Sequence, residues 1–347
     1  MSGIVYNLAP LFTKLILREK YLCVHKIQFR TYNVLFFGSD SIALRSLQKV
    51  NEFRKNEKLV KHLDLVTANK SKHRTTIEEY AYNENIKLLQ WPELNIKKNQ
   101  YDIGLIVAFG HLIKEDVLVK FPLGIVNVHP SLLPRWRGAA PIIYTLLHED
   151  EVSGVSLMRI KPDIFDVGEI ISQKKIQISK HIKLPDLTEQ LSDIGADMLV
   201  DCLRTLPTSL ENAKPQTDDG VTYAKKINKS ISEVRWNEMS SREVYNLYRA
   251  IYGLYPLTTK FKDKQMKLFN AFLIENDKEC SNKLSGSLEY CHEAKAIKIL
   301  CKDKKYIYFK TLRIIGKREI SALDFYNGYI KNMLSDDNKD NMLVCYN

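Results

Sequence analysis

The sequence predicts two folded domains: an α/β domain with a mostly parallel sheet, followed by a smaller β-barrel domain. The chain has 347 residues, whereas a typical domain has roughly 100–200. Over the first two thirds of the chain, apolar strand-like runs alternate with helical runs, which favours a parallel sheet covered by helices. In the last third, short strand-like runs are separated by charged turns, which favours a small barrel.

The composition is that of an ordinary globular protein with a basic excess. Hydrophobic residues make up 45% and charged residues 27%, with a formal net charge of +11, which excludes collagen-like and wholly disordered classes. The six cysteines form no CxxC pair and no zinc-like Cys/His cluster, so we predict neither a metal site nor a disulfide framework. The most apolar run, residues 103–113, is shorter than the roughly 20 residues that cross a bilayer, so we predict no membrane partner.

Residues 1–32 predict an organellar transit peptide. This segment has one acidic residue, Glu19, against five basic residues. An acid-poor amphipathic helix with basic residues is typical of organellar presequences. The alternative is an amphipathic helix that packs on the folded body. The apolar residues that share one helical stripe are Leu8, Leu11, Phe12, Leu15 and Ile16.

The α/β domain is predicted to span residues 33–210 and to begin with a βα unit. A β-rich run at 33–37 is followed by Gly38 and a helical run at 42–50. Neither GxGxxG nor GxxxxGK[ST] occurs there, so no dinucleotide or nucleoside triphosphate site is predicted. Ligands of parallel sheets collect at the carboxyl ends of the strands. The other predicted strands are 63–68, 103–109, 125–128, 155–158 and 170–178, and the other predicted helices are 76–83 and 141–147.

A carboxamide and an imidazole are predicted to project together from the end of the strand that begins at residue 125. Side chains alternate along a strand, so Asn127 and His129 share one face. Pro130 ends strand pairing directly afterwards, which places the pair at the edge of the sheet. The alternative is a turn-capping Asn beside a structural His. The proline-rich loop that follows, with Pro134 and Pro141, favours a functional site.

A carboxylate follows the next strand, at Asp166. We interpret Asp166-Val-Gly168 as a turn before the strand at 170–178, so that Asp166 lies over the same sheet edge as His129. Taken alone, an aspartate in a turn is most often a local hydrogen-bond acceptor. Its predicted proximity to His129 makes it a candidate for catalysis.

These motifs resemble the folate-dependent formyltransferases, and most closely the branch that acts on methionyl-tRNA. The resemblance covers nearly everything except the N-terminal extension. It implies a Rossmann-like formyltransferase domain followed by an OB-like barrel domain that binds tRNA. The motifs are Asn127-Val-His129, Ser131-Leu-Leu-Pro134, Arg137-Gly-Ala-Ala-Pro141 and Asp166-x-Gly168.

The resemblance implies an enzyme that transfers the formyl group of 10-formyltetrahydrofolate to the α-amine of initiator methionyl-tRNA. The family's catalytic Asn, His and Asp correspond to Asn127, His129 and Asp166. We expect a monomer and no metal. Folate contacts carry over to Val107, Ala108, Phe109 and Gly110 in one loop and to Ser131, Leu132, Leu133 and Pro134 in another.

The chemistry of formyl transfer fits these residue types without appeal to the family. Attack of an amine on a formyl carbon places negative charge on oxygen in a tetrahedral intermediate, which needs fixed donors. Asn127 supplies a neutral donor, and a protonated His129 beside Asp166 supplies a charged one. Asp166 can also accept the proton that the amine loses.

The chain departs from the family pattern in two places. Residues 162–165 read Pro-Asp-Ile-Phe before Asp166, where the family pattern resembles Asp-x-Gly-Leu-Asp. The basic loop at 69–75 is shorter than the insertion with which family members often engage the acceptor end of tRNA. The candidate tRNA-binding residues are Lys70, Lys72, Arg74, Arg135, Arg137, Lys225, Lys226, Lys229 and Arg235.

The last third of the chain carries most of the positive charge. Residues 214–320 contain 22 Lys and Arg against 13 Asp and Glu, which gives +9 of the total +11. Such a local excess is typical of a polyanion-binding module, although a solvated lysine-rich face is the alternative. We predict a connector at 211–232, the barrel domain at 233–334 and a loose polar tail at 335–347. Within the barrel domain we predict a helix at 244–251 and strands at 266–274, 286–290, 297–301 and 307–314.

Two other functions remain open from the residues. The chain could formylate an amino-sugar nucleotide or a ribonucleotide amine, but a small substrate would not require the basic C-terminal domain. It could also be an RNA-binding protein that has lost catalysis, but Asn127, His129 and Asp166 are all present.

Overall fold

The computed structural model describes residues 31–69, 71, 73–262, 264–275, 282–331 and 345–346. The transit-peptide prediction therefore lies almost entirely outside the described residues. The strands of the N-terminal half are β1 (Tyr32–Phe37), β2 (Val60–Thr67), β3 (Leu88–Gln90), β4 (Ile103–Val107), β5 (Ile125–His129), β6 (Arg137–Gly138), β7 (Val152–Lys161) and β8 (Ile164–Gln177).

Seven of these strands form one sheet with the order β3-β2-β1-β4-β5-β7-β8. The first five strands in this order pair in parallel, whereas β7 and β8 pair antiparallel. The predicted mostly parallel sheet is therefore confirmed. Strand β5 lies between parallel β4 and antiparallel β7, so its carboxyl end is flanked by the end of β4 and the middle of β7.

Six helices accompany this sheet in the described part of the N-terminal half. At the first of them, the Asp40 carboxylate accepts hydrogen bonds from the amides of Ile42 and Ala43, which caps the helix. Burial raises the pKa of Asp40, and the two amide hydrogen bonds oppose that shift. The helices are α1 (Ser41–Glu57), α2 (Thr76–Asn83), α3 (Glu115–Leu118), α4 (Pro141–Leu147), α5 (Leu184–Arg204) and α6 (Thr208–Glu211). The predicted limits of α2 and α4 are confirmed, α1 is longer than predicted, and α5 was not predicted.

The two faces of the sheet belong to separate hydrophobic cores. Val126 and Val128 of β5 lie in the core that α1 and α5 share, whereas Ile125 lies in the core on the opposite face. Asn127 and His129 therefore lie on the Ile125 side of the strand, as alternation along the strand predicts.

The prediction that Asp166 lies in a turn is wrong. The turn of the β7–β8 hairpin falls earlier, at Pro162 and Asp163, and Asp163 adopts a positive φ of 59°. Asp166 is already inside β8, at an irregularity in the pairing with β7. Its own φ is 55°, so the strand is locally distorted where the carboxylate projects.

The C-terminal half is built on an antiparallel sheet, which confirms the predicted second fold. Its helices are α7 (Ser241–Ala250) and α8 (Ala322–Phe325), and a short strand of the connector, β9 (Tyr223–Ala224), precedes them. The remaining strands are β10 (Leu257–Phe261), β11 (Lys264–Phe272), β12 (Leu288–Cys291), β13 (Ala296–Leu300), β14 (Tyr306–Ile314), β15 (Ile320–Ser321) and β16 (Cys345–Tyr346).

The order of this sheet is β12-β13-β14-β11-β10-β16, with β15 paired to β14. The amide of Cys345 in β16 donates to the carbonyl of Gly286, just before β12. The two edge strands of the sheet, β12 and β16, therefore come together as in a closed barrel. Residues 345–346 lie in the tail that we predicted to be loose. That prediction is wrong for this pair, because Cys345 is buried and β16 pairs with β10.

The connector at 211–232 returns to the α/β half before it reaches the second sheet. The amide and carbonyl of Lys214 pair with Ile170 in β8. Strand β9 then pairs in parallel with β6, which lies within the proline-rich loop. This stretch is therefore part of the α/β half, which its polar sequence did not predict.

The two halves meet where α4 contacts α7. Arg249 of α7 is fully buried and donates from Nη2 to the carbonyl of Leu146 at 3.2 Å. Burial lowers the pKa of this guanidinium. Arg242 forms an ion pair with Glu149 across the same boundary. Among the described residues, no helix combines the length and apolar character needed to span a bilayer.

Candidate active site

The structure brings His129 and Asp166 together at the carboxyl end of β5. Nδ1 of His129 lies 3.5 Å from Oδ1 of Asp166, although the two residues belong to different strands. Both are buried, with 4% and 7% of their surface exposed. The predicted proximity of an imidazole and a carboxylate is therefore present in the fold.

The orientation of the His129 ring is set by its other nitrogen. Nε2 lies 2.9 Å from the carbonyl oxygen of Trp136. Because a carbonyl oxygen only accepts, Nε2 carries a hydrogen and donates it. Nδ1 then faces the carboxylate, at a distance longer than the usual 2.7–3.2 Å hydrogen bond. A second proton on Nδ1 would give a charged ring with an acceptor on each side.

Hydrogen bonds hold both the side chain and the main chain of Asp166. Oδ2 accepts a hydrogen bond of 2.8 Å from the amide of Gly138 in β6. The main-chain carbonyl of Asp166 accepts from Nε2 of Gln216 at 3.0 Å. The distorted backbone at Asp166 is thus supported from β6 and from the connector.

Asn127 lies one pleat before His129 and is half-buried. Its register partners are Ile106 in β4 and Met158 in β7, both apolar. In the described part of the chain, no hydrogen bond involves its carboxamide. The amide group therefore remains available to a substrate beside the His129–Asp166 pair.

Ser156 of β7 holds the loop of residues 131–134 in place through two hydrogen bonds. Its hydroxyl donates to the carbonyl of Ser131 at 2.7 Å and accepts from the amide of Leu133 at 3.0 Å. Gln173 adds hydrogen bonds to Ser156 and to the Leu133 carbonyl. Of the four predicted folate contacts in this loop, Ser131 and Leu133 are buried, and Leu132 and Pro134 are partly exposed. The Ser131 hydroxyl donates to the carbonyl of Arg135, so it serves the loop itself.

The second predicted folate segment follows β4 and presents main chain. Ala108 and Gly110 are exposed and have positive φ angles of 45° and 73°. In the part of the chain that is described, neither makes a main-chain hydrogen bond to another main-chain group. Val107 and Phe109 are buried, and the Phe109 ring packs against Phe37 at 5.5 Å between centroids. Their side chains therefore belong to the core rather than to an open surface.

Trp136 and Asp150 complete the framework around His129, and the sequence did not single out Asp150. Trp136 has a positive φ of 64°, which is costly for a large side chain. Its indole nitrogen donates to Asp150 at 2.7 Å, and its amide donates to the hydroxyl of Thr222 at 2.9 Å. Arg135 adds a two-point ion pair with Asp150. These contacts fix the Trp136 carbonyl that accepts from His129.

The predicted tRNA-binding residues have different surroundings. Lys225, Lys226 and Lys229 are exposed, and so is Arg74, whose guanidinium lies over the Tyr82 ring. Arg235 is exposed and forms an ion pair with Glu238 at 2.6 Å. Lys70 and Lys72 lie outside the described residues.

Two of the predicted tRNA contacts are engaged within the protein. Arg135 is committed to its ion pair with Asp150 but keeps part of its side chain exposed. Arg137 is only 9% exposed and donates from Nε and Nη2 to Oε1 of Gln216. This burial is at odds with the predicted phosphate contact of Arg137, because a buried guanidinium with an internal partner is not presented to RNA. The hydrogen bonds to Gln216 make Arg137 part of the framework of the site, and its phosphate contact stays a prediction.

No group of three or more His, Cys, Asp or Glu side chains with metal-ligand geometry occurs in the described ranges.

Comparison with family models identifies two matching regions. The model described as formyl transferase matches residues 36–203, and the model described as formyl transferase, C-terminal domain, matches residues 226–330. The first match contains β5 and the Asp166 strand. The second contains the antiparallel sheet up to β15.

Curated relatives extend over most of the chain. The mitochondrial methionyl-tRNA formyltransferase of Bos taurus is 37% identical over 308 residues, which cover 86% of this chain and 78% of that protein. The corresponding Homo sapiens protein is 36% identical over the same shares. The methionyl-tRNA formyltransferase of Finegoldia magna is 29% identical, over 85% of this chain and 96% of that protein.

Solved structures share the fold at lower identity. An N-formyltransferase from Helicobacter canadensis, in complex with folinic acid and dTDP-3-aminofucose, aligns with a TM-score of 0.61 and 20% identity over 80% of this chain and 98% of that chain. The sugar 3N-formyl transferase WlaRD, in the presence of dTDP and 5-N-formyl-THF, aligns with a TM-score of 0.60 and 22% identity over 83% of this chain and 100% of that chain.

Proposed function

The chain belongs to the formyl transferase family, and from this we propose that it transfers the formyl group of 10-formyltetrahydrofolate to the α-amine of initiator methionyl-tRNA. The observation that carries the proposal is the pairing of His129 and Asp166 at 3.5 Å beside the free carboxamide of Asn127. Relatives named for methionyl-tRNA at 36–37% identity favour this acceptor over others.

In this proposal, Asn127 and His129 stabilise the charge that develops on the formyl oxygen. The amine nitrogen attacks the formyl carbon, so that a C–N bond forms and the oxygen becomes negative. The Asn127 amide group donates to this oxygen, and a charged His129 ring lies close enough to attract it. Fixed donors in a buried site are effective because they need no rearrangement during the reaction.

Asp166 accepts the proton that the attacking amine loses, directly or through a water molecule. Its Oδ2 is already engaged by the Gly138 amide, so Oδ1 is the oxygen that faces the reaction. The bond between the formyl carbon and the folate nitrogen then breaks, and that nitrogen takes up a proton.

The residues after β4 and β5 fit a folate. The pterin ring carries several donors and acceptors in one plane, and the exposed main chain of Ala108 and Gly110 offers matching groups. Leu132 and Pro134 add partly exposed apolar surface nearby in the loop anchored by Ser156. We assign these two segments to the formyl donor.

The tRNA acceptor end approaches along the connector. Tyr223 is 64% exposed and lies between Thr222, which bonds to Trp136, and the exposed lysines 225 and 226. An exposed aromatic ring can stack on a nucleotide base, and lysines can neutralise phosphates. This arrangement gives a path from the basic C-terminal half to the Asn127 edge.

An assay of acceptor specificity tests the proposal. Purified protein and the formyl donor are incubated with methionyl-tRNA, free methionine, uncharged tRNA or an amino-sugar nucleotide, and the formylated product is measured. We expect transfer to methionyl-tRNA alone. Transfer to the sugar nucleotide would contradict the proposal, and so would RNA binding without transfer.

A charge-reversal pair tests the tRNA path. Lys225→Glu with Lys226→Glu should raise the KM for methionyl-tRNA by at least about tenfold and leave the KM for the donor unchanged, because phosphate contacts are lost. The matched control is Lys97→Glu with Lys98→Glu, since these adjacent lysines are exposed in the segment between β3 and β4. Equal effects of the two pairs would contradict the path.

We also propose that the protein acts as a monomer in the mitochondrial matrix. Asn127, His129 and Asp166 come from one chain, and the curated mammalian relatives are named as mitochondrial. Residues 1–32 fused to a fluorescent protein should direct it to the matrix. Diffuse cytosolic fluorescence would contradict the location, and sedimentation as a dimer would contradict the monomer.

A further inference from the structure

The carboxamide of Gln216 bridges two segments of the active site. Its Nε2 donates to the carbonyl of Asp166 at 3.0 Å and to the carbonyl of Gly168 at 2.9 Å. Its Oε1 accepts from Arg137, from Nε at 3.1 Å and from Nη2 at 2.7 Å. Both hydrogens and the oxygen of this amide are therefore used.

Only a carboxamide of this length can make all four contacts. A glutamate would keep the pair with Arg137 but would oppose its carboxylate to two carbonyl oxygens, which repel it. A methionine has similar volume but neither the donor nor a strong acceptor. The chemistry of residue 216 thus couples Arg137 to the main chain around Asp166.

The main chain that Gln216 contacts needs external support. Asp166 has a φ of 55°, which is uncommon for a residue other than glycine. A Cβ atom at Gly168 would lie 1.7 Å from the carbonyl oxygen of Arg159, so this part of β8 packs directly on β7. A small rotation of the Asp166 main chain would move Oδ1 away from His129.

The connector contacts the His129 side of the site as well. The hydroxyl of Thr222 accepts from the amide of Trp136, whose carbonyl accepts from His129, and the carbonyl of Thr222 accepts from the amide of Arg137. The connector between the two sheets therefore contacts the supports of both ionisable catalytic residues.

We propose that Gln216 is a positioning residue for Asp166, through which the connector to the tRNA-binding half sets the distance between Asp166 and His129. This inference rests on the proposed function. Gln216 acts through Asp166 and Gly168 and does not contact the substrate. Substitution of Gln216 should lower kcat, since a misplacement of about 1 Å at a reacting group can lower the rate by up to about 100-fold.

The test compares Gln216→Glu and Gln216→Met with the wild type and with Gln177→Glu. Gln177 is exposed at the end of β8, so its substitution adds the same negative charge without disturbing the site. We expect kcat to fall by about 10- to 100-fold in both Gln216 variants, with both KM values within about twofold of wild type. The control should keep wild-type kcat.

A double-mutant cycle with Arg137→Met supplies the readout that a merely structural role would not give. If Gln216 and Arg137 act as one unit on Asp166, the combined loss in kcat should be well below the product of the single losses. Independent, multiplicative losses would overturn the inference. A wild-type kcat in Gln216→Glu, or a kcat loss explained by unfolding at the assay temperature, would also overturn it.

The two levels of the proposal remain distinguishable. If the wild type does not formylate methionyl-tRNA, the proposed function fails. If the wild type is active and the Gln216 variants are equally active, the function stands and the inference on Gln216 fails.

Discussion

The amide of Gly138 donates to Oδ2 of Asp166 at 2.8 Å, and this contact makes the two carboxylate oxygens of Asp166 inequivalent. Oδ2 points toward the proline-rich loop, whereas Oδ1 lies 3.5 Å from His129. The carboxylate therefore has one oxygen that is bound to main chain and one that faces His129. This asymmetry underlies the roles that we propose for the three polar residues.

Asn127→Ala should lower kcat by roughly 10²–10³, because the change removes one donor to the negatively charged formyl oxygen. Equilibrium binding of the formyl donor should persist, since the predicted folate contacts lie in other segments. Single-turnover kinetics and donor titration measure the two effects. Asn95→Ala, at an exposed position before β4, serves as the control. Near-normal turnover of the Asn127 variant would refute its role.

Asp166→Asn should cost more than Asn127→Ala, about 10³-fold or beyond, because the proton acceptor and the charged partner of His129 disappear together. The pH–rate profile should also change shape, since the proposed proton acceptor is gone. Asp163→Asn is the matched control, because Asp163 is exposed in the hairpin turn and its positive φ also suits asparagine. An unchanged profile in the Asp166 variant would count against the assignment.

Ser156→Ala should weaken binding of the formyl donor. The Ser156 hydroxyl is fully buried, and its loss leaves the carbonyl of Ser131 and the amide of Leu133 unpaired, at a cost of about 1–3 kcal/mol. We expect the donor KM to rise roughly tenfold, with a smaller change in the tRNA KM. Ser172→Ala, on the exposed surface of β8, is the control. If both KM values rise equally, Ser156 has a general structural role.

Gly138→Ala should disrupt the pairing of β6 with β9 and so weaken the contact between the connector and the active site. A Cβ at Gly138 would lie 2.5 Å from the carbonyl oxygen of Ala224, and its φ of 124° is unfavourable for alanine. We expect kcat to fall at least about tenfold, since the Gly138 amide also bonds to Asp166. Gly220→Ala isolates the backbone effect, because Gly220 has a φ of 78° and no neighbouring atom within 4 Å. Equal losses in the two variants would contradict the steric explanation.

Alkaline pH should destabilise the protein through its buried thiols. Burial raises the pKa of Cys345 from 9.0 to about 12, and burial also raises the pKa of Cys202 and Cys301. Because the folded values are raised, this stabilisation is present below pH 9 and is lost as pH rises toward 12. For Cys345 the loss is about 1.4 kcal/mol per pH unit.

Urea unfolding of the wild type and of Cys345→Ala between pH 7 and pH 11 measures this difference. The variant should show a shallower loss of stability above pH 9. Peptide-level alkylation should label Cys345 only under unfolding conditions. Parallel pH dependence in both proteins would contradict the prediction.

Local periodicity was enough to predict the position of Asn127 and His129. Alternation along a strand depends only on neighbouring residues, so the shared face of the pair followed directly from Ile125, Val126 and Val128. The limits of α2 and α4 were predictable because a helical pattern also depends only on residues that are close in sequence. Pro162 was a signal for the hairpin turn, but Asp166-Val-Gly168 resembled a turn more closely, and the turn was therefore assigned to the wrong residues.

The supporting residues could not be predicted because their contacts are distant in sequence. Gln216 is 50 residues from Asp166, and Ser156 is 25 residues from Ser131. No local pattern distinguishes such a glutamine or serine from an ordinary surface residue. The internal partner of Arg137 could not be predicted for a related reason, since Gln216 is 79 residues away in the sequence.

The route of the connector has a consequence for exchanging domains between relatives. Residues 214–224 follow the last helix of the first half, yet they pair with Ile170 and with β6. A chimera with its junction before Lys214 would place a foreign segment against Gly138, and one with its junction after Ala224 would retain the native one. Recombination of the two halves between relatives should therefore succeed only when the crossover falls beyond this strand.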